Sequence, residues 1–229
     1  MKKFLKKTEI AKMKSKEIAP LLDVYVAKIS PNYSEKILCC ELRNQEIKNT
    51  RDETLELQKY WAWRLLEYAV KNSLNLDPEN VNFQKQQSGE WTADDFYFSI
   101  SHSDEMICVA VSNEAVGVDI ESVKHFFKSV NSMEKQVALK KRISHQNETE
   151  SYFSNFANDE NNQANLLLEL WLKKESAFKF CKNEIFFPKD IDTTKFNYII
   201  KNTDEYSFAV CSEISSVVKI FVIDDIKKY

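Results

Sequence analysis

Two carboxylates and a glycine lie close together on a segment whose pattern predicts a strand. Between Val116 and Glu121 apolar side chains alternate with Gly117, Asp119 and Glu121, so these three residues share one face. Carboxylate oxygens are the hard ligands that Mg²⁺ prefers, together with water and phosphate oxygens. A lone pair of this kind is usually solvated, but here the opposite strand face is apolar. We therefore keep the pair as a candidate metal site.

A third carboxylate and a lysine occupy one turn of a predicted amphipathic helix. The segment Leu166 to Lys182 has apolar residues at helical spacing, and Glu175 and Lys179 are separated by four residues on it. Glu175 would complete a three-carboxylate ligand set for the metal if the helix packs beside the strand.

A serine and histidine cluster ends another predicted strand. From Phe96 to Ser103 apolar side chains alternate with polar ones, and Ser101, His102 and Ser103 come last. A histidine in such a place is more often a capping or core residue than a functional one. With serines on both sides it is also a candidate phosphate contact.

The composition limits the class of protein. The chain has 229 residues, of which 43% are hydrophobic and 12% aromatic, which predicts a folded, soluble protein. A net charge of −3 gives no global electrostatic reason to bind nucleic acid. No apolar run reaches the roughly 18 to 20 residues that a transmembrane helix needs, and the basic N-terminus leads into polar residues. We predict a cytoplasmic protein without a membrane partner.

Five cysteines, an odd number, contain no C-x-x-C pair and are predicted to be free thiols, most of them buried.

Hydrophobic periodicity predicts the order of helices and strands. A hairpin is expected to join Met106–Val111, through the turn at residues 113–115, to the strand that begins at Val116. Residues 145–165 are polar and of low complexity, which predicts a flexible loop. The other predicted strands are 21–29, 196–200, 206–211 and 217–223, and the other predicted helices are 54–74 and 130–143.

A faint internal repeat suggests two similar halves. Residues 105–112 and the strand after them resemble residues 205–212 and the strand that follows. We therefore predict an α+β fold of two lobes in pseudo-twofold arrangement, each a helix packed on a small, mainly antiparallel sheet. The predicted division is 1–113 and 114–229.

Three blocks in this order give the chain a family resemblance. FSISHS (98–103), GVDIE (117–121) and WLKKES (171–176) together resemble the signature of the 4′-phosphopantetheinyl transferases, whereas each block alone is weak. The size and two-lobed plan look like the Sfp-type, pseudo-dimeric branch. The clear likeness covers about residues 97–182.

The resemblance implies a reaction and a set of residue roles. The family moves the phosphopantetheine arm of coenzyme A (CoA) to a serine of an acyl or peptidyl carrier protein, requires Mg²⁺ and releases 3′,5′-ADP. By motif, Asp119, Glu121 and Glu175 would hold the metal, and Glu175 would take the proton of the serine. Ser101, His102 and Lys179 would bind phosphate oxygens, with His102 at the 3′-phosphate. The N-terminal lobe would hold the nucleotide.

Some positions depart from the family pattern. The family usually has a Gly-Lys-Pro turn before the first block, where this chain has Gly89-Glu90-Trp91. A basic contact to the nucleotide is therefore lost or moved. The family also has basic residues before the first long helix, which are poorly placed in this chain: Lys36 is the first candidate, with Lys48 and Arg51 as reserves. Arg142 and Glu148 are candidates for a further, degraded family block.

Alternatives stay open at this point. A non-catalytic, carrier-protein-binding member of the same fold with a decayed CoA pocket would share the three blocks, and an unrelated nucleotide-binding α+β protein would share the composition. A chain with both lobes contains both sides of its cleft, which predicts a monomer.

Overall fold

The structure is a computed structural model that describes residues 21–30, 37–148, 160–182, 187–213 and 219–223. Its helices are α1 (Glu41–Lys48), α2 (Glu53–Ser73), α3 (Val123–Ser129), α4 (Met133–Ile143) and α5 (Glu160–Phe180). Its strands are β1 (Leu22–Lys28), β2 (Phe83–Lys85), β3 (Trp91–Ala93), β4 (Tyr97–Ser103), β5 (Met106–Ser112), β6 (Val116–Ser122), β7 (Asn197–Asn202), β8 (Tyr206–Ser212) and β9 (Lys219–Ile223).

The strands form two main sheets and a small hairpin. The first sheet has the order β4-β5-β1-β9 and the second has the order β6-β8-β7, while β2 pairs only with β3. Neighbouring strands are antiparallel except β1 and β9, which are parallel. The predicted α+β class is therefore confirmed.

The two main sheets pack face to face, and each carries a long helix on its outer face. Along β1, Val24 and Val26 point into the core between the sheets, whereas Tyr25 and Ala27 pack against α2. Burial on both sides explains why β1 and β5 are apolar throughout rather than alternating. On the far side of the second sheet, α5 packs with α3 and α4 around Leu167 and Leu170.

The two sheets repeat one topology. In the first, β5 lies between β4 and β1, and in the second, β8 lies between β7 and β6. The register repeats as well, because Ser112 of β5 faces Tyr97 and Leu22, and Ser212 of β8 faces Asn197 and Val116. This agrees with the internal repeat in the sequence. The pseudo-twofold relation and the division after residue 113 stay predictions. Strand β9 lies in the predicted second half of the chain but joins the first sheet.

The predicted hairpin between β5 and β6 is wrong. The segment at residues 113–115 crosses from one sheet to the other, and β6 pairs with β8. Asn113 holds the crossing point, because its side chain accepts from the backbone N–H of Leu21 at 2.9 Å. The actual hairpin joins β4 and β5, and Asp104 in its turn has a φ of 52°. The crossing residues lack a glycine or Asn-Gly pair that would favour a tight reversal.

The helix predictions hold with changed bounds. α2, α4 and α5 correspond to predicted helices, and α2 begins at an Asp52 cap whose side chain accepts from Leu55 N at 2.8 Å. The sequence analysis missed α3, which Ser122 caps. The predicted loop at 145–165 is wrong at both ends, because Glu148 is buried and α5 already begins at Glu160. Residues 149–159 lie outside the described part.

A buried ion pair ties α5 to two chain segments. Lys174 and Glu148 are both fully buried, and Lys174 Nζ lies 2.8 Å from Glu148 Oε2. Lys174 also donates to the carbonyl of Ile191, and Glu148 accepts from Thr193 N at 2.8 Å and from His145 N at 2.7 Å. Every charge in this group has a partner, which is what permits its burial.

The cysteines are free thiols, as predicted, but the expected burial of most of them is wrong: Cys108 and Cys211 are buried, Cys40 and Cys181 are partly buried and Cys39 is exposed. Across the residues that the structure describes, no helix has the length and apolar character to cross a membrane.

Candidate active site

The site is built where the edges of the two sheets meet. Strand β4 ends the first sheet and β6 ends the second, and the serines of β4 bridge them. Ser99 Oγ accepts from Val118 N at 3.0 Å, and Ser101 Oγ donates to Asp119 Oδ1 at 2.8 Å. Ser103 Oγ donates to Glu121 Oε2 at 2.9 Å. The period-two spacing of the serines therefore aims them all at β6, with His102 on the other face.

Lys179 connects the helix α5 to both strands. Its Nζ donates to Asp119 Oδ1 at 2.8 Å, to Ser101 Oγ at 2.9 Å and to the carbonyl of Val118 at 3.0 Å. The three ammonium protons are thus directed to three acceptors of the protein. The structure brings Ser101, Asp119 and Lys179 together, as the sequence analysis expected.

Gly117 lets α5 approach β6 this closely. A Cβ at this position would lie 2.5 Å from Phe180 N and closer still to the carbonyl oxygen of Ser176. Both neighbours are backbone atoms of α5, so only a glycine fits here. Because Glu175 and Lys179 lie on the same part of α5, this contact sets their distance from Asp119.

Asp119 has one oxygen in use and one without a partner. Its Oδ1 accepts from Ser101 and Lys179, while Oδ2 is buried and has no hydrogen-bond partner within the described ranges. A buried carboxylate oxygen without a partner carries a high desolvation cost. A bound cation would remove that cost, and this observation fits the predicted metal site.

Glu121 and Glu175 are the other two carboxylates of the predicted metal site. Glu121 accepts from Trp171 Nε1 at 2.8 Å through its Oε1, and from Ser103 through Oε2. Burial raises the pKa of Glu121 and the pKa of Glu175, and the charge of Asp119 raises both further. Among the residues that the structure describes, no three His, Cys, Asp or Glu side chains converge closely enough to hold a metal ion. The chemistry of the donors fits Mg²⁺, and the ligand set stays a prediction.

A cavity of about 450 Å³ begins at Asp119 and Lys179 and runs along β4. His102 lies on its wall and is mostly buried. Burial lowers the pKa of His102, and the positive charges of Lys179, Arg43 and Lys59 lower it further. The cavity therefore combines three basic side chains and two carboxylates, Asp119 and Glu90, with aromatic walls, which come from Trp63, Trp91 and Phe98.

The basic residues of this cavity differ from those named in the sequence analysis. Lys36 lies outside the described residues, and Lys48 and Arg51 are exposed and do not line the cavity. Arg43 and Lys59 line it instead. Lys59 precedes Trp63 by one helical turn on α2, a spacing that places both side chains on one face. The spacing of Lys59 and Trp63 can be read from the sequence, whereas the burial of Arg43 on α1 cannot.

Arg142 and Glu148, the candidates for the degraded family block, both contact residues of α5. Glu148 is part of the buried ion pair with Lys174. The guanidinium of Arg142 lies 5.9 Å from the ring centroid of Trp171, the residue that donates to Glu121.

Comparison with known proteins gives one relative of described function. The chain is 33% identical over 116 residues to the 4′-phosphopantetheinyl transferase gsp of Aneurinibacillus migulanus. The match covers 50% of this chain and 44% of that protein, so the chain matches less than half of the relative's length. No protein-family profile matches the chain. The similarity supports the phosphopantetheinyl transferase superfamily and a transferase of this kind.

Proposed function

We propose that this protein transfers the 4′-phosphopantetheine arm of CoA to a serine of an acyl or peptidyl carrier protein, with Mg²⁺, releasing 3′,5′-ADP. The proposal rests on one observation above the others. Asp119, Ser101 and Lys179 form a hydrogen-bonded group on the wall of a cavity that Arg43, Lys59 and aromatic side chains also line. The half-length similarity to a transferase of this class points the same way.

Asp119, Glu121 and Glu175 would hold the metal. The unpartnered, buried Oδ2 of Asp119 is the strongest support for this assignment. Bound there, Mg²⁺ would neutralise charge on the CoA pyrophosphate and stabilise the leaving 3′,5′-ADP. Trp171 and Ser103 would orient Glu121 through their hydrogen bonds to its two oxygens.

Lys179, Ser101 and His102 would bind phosphate oxygens. Lys179 and Ser101 already lie within 2.9 Å of each other beside Asp119. A phosphate would take over part of the hydrogen bonding that Lys179 now directs to protein acceptors. His102 faces the positive part of the cavity, where it would contact the nucleotide end of CoA.

Glu175 would act as the general base. It would accept the proton of the carrier serine while the serine oxygen forms a bond to the phosphorus next to the pantetheine. The bond from that phosphorus to the oxygen it shares with the nucleotide's phosphate breaks, and 3′,5′-ADP leaves with the electron pair. Burial, and then the charge of Asp119, raise the pKa of Glu175, which makes this carboxylate a stronger base.

We further propose the Sfp-type branch, a monomer and a cytoplasmic location. A single chain that supplies both β4 and β6 provides both sides of the site, so a second copy is not needed.

Intact-mass spectrometry of an apo carrier protein incubated with this protein, CoA and Mg²⁺ tests the proposal. The expected result is a mass gain of one phosphopantetheine arm, which EDTA prevents. Asp119→Asn should lose the gain, whereas Asp95→Asn, an exposed aspartate away from the cavity, should retain it. No gain with several carrier proteins would overturn the proposed transfer.

A second candidate function is a non-catalytic protein that binds carrier proteins. The absence of a converged metal cluster among the described residues favours it. It predicts carrier binding without any mass gain and without measurable CoA affinity, so calorimetry with CoA and with the carrier separates the two functions.

A further inference from the structure

The turn between β4 and β5 lies against the start of α3. Asp104 occupies this turn in the left-handed conformation, with a φ of 52°, which aspartate, asparagine and histidine adopt more readily than most residues. Its Oδ1 pairs with Nδ1 of His125, which lies in the first turn of α3. This pair therefore joins the end of the first sheet to the helix that follows β6.

The residues next to this pair close a ring of contacts with it. Ser103 Oγ accepts from Ser122 N at 3.1 Å, and Ser122 Oγ accepts from His125 N at 3.4 Å. Ser103 directly precedes Asp104 in the chain, so the backbone completes the ring. The relative position of the two serines is thus coupled to the pair of Asp104 and His125.

The ring reaches the predicted metal site through one hydroxyl group. Ser103 Oγ, which accepts from Ser122 N, also donates its proton to Glu121 Oε2 at 2.9 Å. A serine hydroxyl has a single proton, so this bond fixes its direction. Glu121 directly precedes Ser122 in β6, so its backbone is attached to the same ring. A shift of the turn would therefore change the position of the Glu121 carboxylate relative to its partner.

The other contacts of the turn lead to the first sheet and to α2. Gln58 Nε2 of α2 donates to the carbonyl of Asp104 at 2.8 Å, and Lys28 Nζ of β1 lies 2.9 Å from a carboxylate oxygen of Glu105. These contacts hold the turn to its own sheet, whereas the pair with His125 holds it to α3. The side chains of His125 and Asp104 are 59% and 31% exposed, so the pair can be removed without opening the core.

We infer that Asp104 and His125 are positioning residues that orient Glu121, through Ser103 and Ser122, for the binding of a divalent cation. The inference rests on the proposed function, in which Glu121 is a metal ligand. Neither Asp104 nor His125 is itself a ligand, and both act through the ring. Because an exposed pair of this kind changes an equilibrium constant by up to about fivefold, the expected effect is modest and measurable.

Binding of Mn²⁺ to the whole protein, without CoA or carrier, tests the inference, because Mn²⁺ takes the same oxygen ligands as Mg²⁺. The electron paramagnetic resonance signal of free Mn²⁺ gives the dissociation constant. Asp104→Asn keeps a residue that tolerates the left-handed conformation and should weaken binding about threefold. His125→Ala should weaken binding by the same factor, and the double variant should bind no more weakly than either single variant.

An effect of charge alone would give a different pattern. Removal of an aspartate weakens the attraction for any cation, but removal of an imidazole takes away no negative charge and would leave Mn²⁺ binding unchanged or tighter. Glu105→Gln is the matched control, because it removes the same charge as Asp104→Asn from the adjacent residue of the turn. The Glu105 side chain is 70% exposed and screened by salt, so this variant should change binding by less than about 1.5-fold.

A second measurement needs no metal. The amide proton of Ser122 donates to Ser103 Oγ, and its exchange with deuterium reports how firmly the ring is closed. Exchange should be faster in Asp104→Asn and in His125→Ala than in wild type and in Glu105→Gln. Thermal denaturation checks that each variant is folded.

The outcomes separate this inference from the proposed function. Unchanged Mn²⁺ binding in His125→Ala, or losses that simply add in the double variant, would overturn the positioning role even if the carrier gains mass. Coupled losses of Mn²⁺ binding without any mass gain would support the positioning role and overturn the transfer. A wild type that binds no Mn²⁺ would overturn both the inference and the metal assignment.

Discussion

Replacement of Gly117 by alanine should disturb the site, because the added methyl group would meet the backbone of α5. The new Cβ would lie 2.5 Å from Phe180 N, whereas atoms in contact prefer a separation of about 3.5 Å. The carbonyl oxygen of Ser176 would be closer still, so the helix α5 must move away from β6 by at least about 1 Å. Because the neighbours are backbone atoms, no side chain can rotate to relieve the contact.

Two magnitudes follow from this displacement. Overpacking costs about 1–3 kcal/mol, and the rigid neighbours place Gly117→Ala at the upper end. The move carries Glu175 and Lys179 away from Asp119, and a shift of about 1 Å can lower a reaction rate by about 100-fold. We expect a loss of about 3 kcal/mol in the free energy of unfolding and of about 100-fold in the transfer rate.

Urea denaturation followed by circular dichroism measures the first effect, and the mass-based transfer assay under saturating CoA measures the second. Gly89→Ala is the comparison, because Gly89 has a φ of 89° but no atom within 4 Å of its Cβ position. It should cost about 1–2 kcal/mol through backbone strain without moving α5. A Gly117→Ala variant within about 0.5 kcal/mol of wild type and with its normal rate would refute the argument.

Three further predictions concern other contacts. Lys174→Met should lower the free energy of unfolding by about 3–5 kcal/mol, because it leaves the Glu148 charge buried without a cation. Adding Glu148→Gln should recover part of that loss in urea denaturation, and simple addition of the two losses would argue against the pairing. Trp171→Phe keeps the ring but removes the N–H that orients Glu121, so transfer should fall by about 10-fold with a higher Mg²⁺ requirement; an unchanged Mg²⁺ titration would contradict this role. Although Cys39 as a residue is exposed, partial desolvation of its thiol and then the Glu67 charge raise the pKa of that thiol to about 11, so its alkylation, followed by peptide mass mapping, should remain slow at about pH 9, where a free thiol reacts as thiolate. Fast alkylation of Cys39 at that pH would show that the shift is absent.

The parts of the fold that the sequence predicted are those whose pattern is local. The alternation of Ser99, Ser101 and Ser103 with apolar residues gave the two faces of β4, and the helical spacing in α2 and α5 gave both long helices. The placement of Asp119 opposite the apolar face of β6 followed from the same period of two. These inferences needed no knowledge of which elements pair.

Features that depend on pairing between distant segments were not predictable in this way. Residues 113–115 lack the glycine that favours a tight reversal, but that absence does not identify the strand with which β6 pairs, so its partner was misassigned. The cavity wall joins Arg43, Lys59 and Trp91 from three elements, and each looks like an ordinary surface or core residue in isolation. Glu148 sits in a polar run, and only the packing of α5 reveals its burial.

The parallel pairing of β9 with β1 has a consequence for how the chain folds during synthesis. Val24 of β1 pairs with Ile220 of β9, so this edge of β1 has no partner strand until β9 has been synthesised. Until then β1 exposes an unpaired edge, which is a template for association with other chains. Pairing over such a long sequence separation is also slow. The first sheet, although its other three strands all lie between residues 22 and 112, is therefore completed only when β9 has been synthesised.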